Sequence, residues 1–202
     1  MPFERNRGRQ YRYIPAKMQV RSEGDGPVIA CHFAVFNTPT ELWPGCIEQI
    51  APGAFTSSLG LDVRALINHE TRLVIGRTIA GTLTLQEDET GLFGEVKINE
   101  HDTDAMNLYA RVQRGDVSQC SFGFDIIAED YVASPDGQTC TWTLRDVILY
   151  EVSIVTFPAY EATSAMARAA GDVTSLQTAR LERRKTDLLE RIKNNAESYH
   201  AP

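Results

Sequence analysis

The 202-residue chain has no uninterrupted apolar run near the ~20 residues that a membrane-spanning helix needs. Its opening, MPFERNRGRQ, also lacks the apolar core of a secretory signal. Neither a membrane-spanning nor a secreted protein is expected. Cysteine is scarce: Cys31, Cys46, Cys120 and Cys140 make up the whole set, with no CxxC pair and no zinc framework. They read as free, mostly buried thiols in a reducing cytosol. The four histidines are dispersed, and the nearest approach to a ligand cluster is His101 with Asp102 and Asp104. Asp102 doubles there as a helix N-cap, so no metal and no other cofactor is expected. Internal repeats and low-complexity tracts are absent as well.

Positive charge is in the minority, with 20 Lys/Arg against 27 Asp/Glu and a net charge of -7. That balance argues against a general nucleic-acid binder. The distribution is uneven, however. Residues 1–26 carry a net +3, residues 27–164 a net -12, and residues 165–202 a net +2. The pattern suggests a basic N-terminal arm with an early strand over 1–26, a folded acidic body over 27–164, and a basic helical tail over 165–202. Apolar residues at 43% against 23% charged fit a globular body.

Strand signals dominate that body. The run VIACHFAVF over 28–36 reads as a strand buried on both faces. A loop punctuated by Pro39, Pro44-Gly45 and Pro52-Gly53 leads to a short helical turn near 54–59, and a strand over 63–68 ends at His69. A hairpin is expected over 76–99 around the acidic turn QEDETG. A helix over 102–114 is capped by Asp102 or Thr103 and stopped by Gly115. Two further strands, 117–127 and 141–156, complete the body, and an amphipathic basic helix is expected near 175–197.

Chemistry concentrates on the strand over 117–127. Strand alternation sends Cys120, Phe122 and Phe124 one way and Gln119, Ser121, Gly123 and Asp125 the other. The second face sets a hydroxyl beside a glycine, where another group can approach closely. Glu151 interrupts the apolar run VILYEVSIVTF, and a carboxylate buried there needs a partner. A histidine is one economical partner. His69, Ser121 and Glu151 together supply the base, nucleophile and carboxylate of a nucleophilic triad, although a serine on a strand and a histidine at a strand end are more commonly structural.

Six segments carry a resemblance over about residues 13–168: AVFNTPTE, IAPGAF, INHE, IGRTIAGTLTLQEDETGL, SQCSFGF and EVSIVTFPAY, in that order and spacing. By these the chain resembles the caudovirus prohead proteases, the maturation enzymes of tailed phages, and through them is similar to the herpesvirus assemblins. The histidine of the family's NH(D/E) motif is a general base and falls on His69; the serine of its S-x-G-(F/Y) strand is the nucleophile and falls on Ser121. The third assemblin member is a second histidine, at a place that aligns with Glu151, which departs from that pattern. The resemblance further implies oxyanion-hole backbone donors around Ala159 and Tyr160.

The fold implied by the resemblance is mainly β (α+β): a distorted antiparallel β-barrel of about six or seven strands, assemblin-like and flanked by helices. The implied activity is that of a serine endopeptidase processing capsid or scaffold protein during prohead maturation, with possible self-cleavage. Its partners would be the major capsid protein or its scaffolding segment, a scaffold protein, and a second copy of itself, a dimer by analogy. No membrane and no specific nucleic acid is implied. The enzyme would act inside the immature capsid in the host cytoplasm. Three rivals stand beside it: a non-cleaving scaffolding or capsid-assembly factor on the same fold, Cys120 as nucleophile, and a metal-dependent hydrolase using His69, Glu70 and His101.

Overall fold

The computed structural model describes residues 8–22 and 26–157. Expectations for the basic tail, its helix, and the backbone donors of Ala159 and Tyr160 lie outside the described residues. All described residues belong to one compact unit.

The described chain is mainly β. Its strands are β1 (Gln10–Pro15), β2 (Gln19–Ser22), β3 (Pro27–Val35), β4 (Thr40–Trp43), β5 (Cys46–Ile50), β6 (Arg64–Ile67), β7 (Glu70–Arg77), β8 (Leu83–Glu87) and β9 (Gly91–Lys97), then β10 (Gln119–Ala133) and β11 (Cys140–Val155). One α-helix, α1 (Thr103–Arg114), precedes β10. A seven-stranded sheet follows the order β1-β10-β11-β5-β4, with β6 also on β11 and β7 on β6; a four-stranded sheet follows β2-β3-β9-β8. The expected closed antiparallel barrel of six or seven strands is thus corrected to two sheets with more strands. Two pairings are also parallel, β11 with β5 and β11 with β6.

The length of β11 explains the parallel pairings. Its second edge is shared end to end, residues 140–144 with β5 and 151–154 with β6. Between them the chain keeps bonding to that edge: the Ala51 N–H donates to Leu144 O and the Val147 N–H to Ala54 O. Ser58, fully buried, donates its hydroxyl to Val147 O and accepts the Leu149 N–H. Leu144 O, Val147 N and O, and Leu149 N on that stretch of edge thus all find partners.

One core lies between the sheets. It draws Ile29 and Phe33 from β3, Leu92 and Val96 from β9, Phe122 and Phe124 from β10, and Leu149 and Ile154 from β11. Helix α1 adds Ala105, Leu108, Tyr109 and Val112, the spacing of a single helical face. Asp102 caps the helix by accepting the N–H groups of Asp104 and Ala105, and Gly115 at φ 86° closes it. Asp102 is thereby spent as a cap.

Three local expectations change. The early strand is two short strands, β1 and β2, that pair in different sheets. The Pro/Gly-rich loop contains the β4–β5 hairpin, turned by Gly45 at φ 83°. The hairpin expected from residue 76 begins at Leu83, because Gly76 and Arg77 finish β7. The exposed Thr71, Arg72 and Val74 hide β7 from a periodicity reading. Gly76 lets it press against its neighbours: a Cβ there would lie 2.9 Å from Val96 Cγ1 and 3.0 Å from Thr82 O.

The cysteine expectation holds for two residues of four. Cys31 and Cys120 are free and buried, whereas Cys46 and Cys140 form a disulfide. The parallel register places those two directly opposite each other, which no sequence spacing reveals. Among the described residues no helix is long and apolar enough to cross a membrane.

Candidate active site

The site is built on the face of β10 that carries Ser121 and Gly123. In the antiparallel ladder with β11, Ser121 stands opposite Ser153 and Gly123 opposite Glu151. On its other side β1 sets Tyr13 opposite Ser121 and Tyr11 opposite Gly123. Directly opposed residues have Cβ atoms about 4.5–5.5 Å apart, so these side chains form one contiguous patch.

His69 arrives from the β6–β7 turn. Asn68 and His69 have φ of 50° and 61°, the values of a type I′ hairpin turn, whose second position usually holds glycine. A left-handed conformation costs a residue with a Cβ about 1–2 kcal/mol, so the surroundings must hold it. Asn68 Oδ1 accepts the Thr156 N–H at 2.9 Å, and the His69 N–H donates to Ser153 Oγ at 3.2 Å. The turn thus hangs from the end of β11.

Bending back in this way brings His69 Nδ1 to 2.5 Å from Glu151 Oε1. With a carboxylate as its partner, Nδ1 is the donor, and in the neutral ring that arrangement leaves the lone pair on Nε2. The second carboxylate oxygen, Oε2, accepts the Ser153 hydroxyl at 2.6 Å. Glu151 is only 5% exposed, so the buried-carboxylate problem is answered by two hydrogen bonds. Gly123 makes room for it: a Cβ there would sit 2.7 Å from Glu151 Oε1 and 2.9 Å from Tyr11 Cε1.

Ser121 Oγ and His69 Nε2 in the patch are buried without a hydrogen-bond partner among the described residues, as are Gln119 Oε1 and Asp125 Oδ1 farther along the same face of β10. Ser121 as a residue is 0% exposed. The rings of Tyr11 and Tyr13 meet His69 edge-on, with centroids at 4.6 and 5.5 Å, and close the patch. Orphaned buried polar atoms are rare and call for an explanation. At Ser121 and His69 one atom is a hydroxyl and the other an imidazole nitrogen able to take its proton.

The rival residues fare differently. Cys120 faces the core, fully buried, with its Sγ 3.2 Å from that of Cys31. Burial, followed by the neighbouring Cys31 thiol, pushes the Cys120 thiol well above the ordinary thiol range, the reverse of what a thiolate nucleophile needs. Glu70 is paired with Arg72 at 2.8 Å. Among the described residues no group of three or more His, Cys, Asp and Glu could hold a metal ion. Ser153, Tyr11 and Tyr13 were not legible as site residues from motif spacing, but strand alternation carries the signal, since each lies two residues from a partner on the same face.

The model of the family described as caudovirus prohead serine protease matches residues 16–176 of the chain. The prohead protease of Enterobacteria phage HK97 is 31% identical over 150 residues, covering 71% of this chain and 61% of that protein. The chain therefore matches less than two thirds of that relative's length. No solved structure matches.

Proposed function

The chain belongs to the caudovirus prohead serine protease family, and on that footing we propose that it is a serine endopeptidase of phage maturation with Ser121 as nucleophile, His69 as general base and Glu151 as the orienting carboxylate. One observation carries the reading. His69 is held by Glu151 at Nδ1, while its Nε2 and the Ser121 hydroxyl are both buried and, among the described residues, unpartnered.

In this mechanism Nε2 takes the hydroxyl proton as Ser121 Oγ attacks the scissile carbonyl. Glu151 stabilises the imidazolium that forms. The proton then passes to the leaving amine as the peptide bond breaks, and water hydrolyses the acyl-enzyme by the same route in reverse. The oxyanion donors are assigned to the backbone N–H groups of Ala159 and Tyr160 by resemblance. Because the rings of Tyr11 and Tyr13 close over the site, they must swing aside for a substrate carbonyl to reach Ser121.

The same reading assigns catalysis to residues 27–164, with β1 as its cover, and takes the two sheets around one core as related to the assemblin arrangement. The substrates are the major capsid protein or its scaffolding segment and a scaffold protein, inside the immature capsid in the host cytoplasm. Self-cleavage and a homodimer belong to the proposal as well. A second reading, the non-cleaving assembly factor, is favoured by the complete burial of Ser121. Mass spectrometry of capsid protein incubated with wild type and with Ser121→Ala separates the two. New fragments from wild type, reduced roughly a thousandfold or more in the variant, support the protease; intact capsid protein in both samples supports the assembly factor.

A further inference from the structure

Ser153 is the one described side chain whose hydroxyl bonds both the carboxylate and the backbone of the histidine. Its Oγ donates to Glu151 Oε2 at 2.6 Å and accepts the N–H of His69 at 3.2 Å. It is fully buried, on the strand face shared with Glu151 and directly across the ladder from Ser121. A hydroxyl has one proton to give and lone pairs to receive with. Here the proton goes to the carboxylate and a lone pair takes the amide, so the hydroxyl meets the opposite needs of two groups that must stay in register.

We propose that Ser153 is the positioning residue of the site: it fixes the rotation of the Glu151 carboxylate and anchors the left-handed His69 backbone, so that Oε1 and Nδ1 meet in line and Nε2 is aimed toward Ser121. Two facts support more than a filling role. A carboxylate held through one oxygen alone can rotate about its Cγ–Cδ bond, and the Ser153 bond to Oε2 removes that freedom. His69 at φ 61° persists only with its surroundings holding it, and its N–H has its bond to Ser153 and to no other side chain among the described residues. Removing the hydroxyl leaves a buried carboxylate oxygen and a part-buried amide short of a partner at once.

This inference rests on the serine-protease reading, and its test separates the two. The full-length chain is labelled with an alkyl fluorophosphonate, and the rate of adduct formation at Ser121 is followed by mass spectrometry. Ser153→Ala is expected to lower that rate roughly ten- to a hundredfold. Ser153→Thr, which keeps the hydroxyl, is expected to return it to within about threefold of wild type. Because part of its action runs through Glu151 and part through the His69 N–H, adding Ser153→Ala to a Glu151→Ala chain is expected to cost clearly less than it does in wild type. A second readout does not depend on activity. In proton NMR the Nδ1–H of His69 gives a low-field resonance in wild type, lost or broadened in Ser153→Ala and recovered in Ser153→Thr.

Labelling of Ser153→Ala within twofold of wild type would overturn the role, as would an equal loss in the Glu151→Ala background or a low-field resonance indifferent to the substitution. If no form of the chain is labelled at Ser121, the protease reading fails. The resonance then still decides whether Ser153 sets the His69–Glu151 contact.

Discussion

Glu151 reaches His69 over the bare α-carbon of Gly123: its Oε1 lies 2.5 Å from His69 Nδ1, and a Cβ on Gly123 would come within 2.7 Å of that same oxygen. The contact between base and carboxylate therefore depends on a residue that has no side chain. Gly123 needs no unusual backbone angle here; it is required by space.

Gly123→Ala is accordingly expected to push the carboxylate or the Tyr11 ring aside. Overpacking of this kind costs about 1–3 kcal/mol of stability. Activity should fall as well, by roughly a hundredfold, because a displacement of about 1 Å at a catalytic group has that effect. Thermal unfolding and fluorophosphonate labelling on the same sample would show a folded chain that labels slowly. Unchanged labelling would contradict the geometry.

Cys120 lies next to Ser121 in sequence but on the other face of β10. With its thiol pushed up by burial, little thiolate exists at pH 8.5, where an ordinary exposed cysteine is about half ionised. Iodoacetamide at that pH should leave Cys120 unmodified in the native chain and modify it after unfolding, as peptide mapping would read. The unfolded thiol loses its proton first, so this group's contribution to stability falls as pH rises past the ordinary thiol pKa of about 8.5. A Cys120→Ala chain that keeps wild-type cleavage is expected, and loss of cleavage with a native fold would reopen the cysteine reading.

Tyr13 stands opposite Ser121, and its ring packs edge-on to His69. The strand that carries it is tied down from the core side, where Arg12 donates to the buried Glu48 at 2.8 Å and Ile14 packs on the core. On the proposed mechanism, access to Ser121 would then come from rotation of the ring, with β1 staying in the sheet. Tyr13→Ala should raise the fluorophosphonate labelling rate of Ser121 severalfold, about the effect expected if a closed state dominates the wild type. A labelling rate equal to or below that of wild type, in a chain that melts normally, would show that the ring is not what restricts access.

Much of this was legible in the sequence and some could not have been. The α1 boundaries follow from Asp102 and Gly115, and on β9 Phe93, Glu95 and Lys97 alternate with the buried Gly94 and Val96 as a strand's period of two requires. Glu151 was legible as a buried carboxylate in need of a partner, because its apolar surroundings make an unpartnered charge too costly. The Cys46–Cys140 contact was not, since a parallel register between strands nearly a hundred residues apart leaves no trace in local pattern. Nor was the closed barrel a safe extrapolation: β11 divides its edge between β5 and β6, which is a property of a sixteen-residue strand meeting two short ones. Ser153 lay within reach of a reading that asked what shares a face with Glu151.

The central claim is that His69, held by Glu151, activates Ser121. It is tested most directly by mapping the fluorophosphonate adduct on the wild-type chain and on His69→Ala, Glu151→Gln and Ser121→Ala. A single adduct on Ser121 in wild type is expected, slowed at least a thousandfold in His69→Ala, slowed by roughly a hundred- to ten-thousandfold in Glu151→Gln, and absent in Ser121→Ala. An adduct on another residue, or equal labelling of Ser121 without His69, would contradict the account.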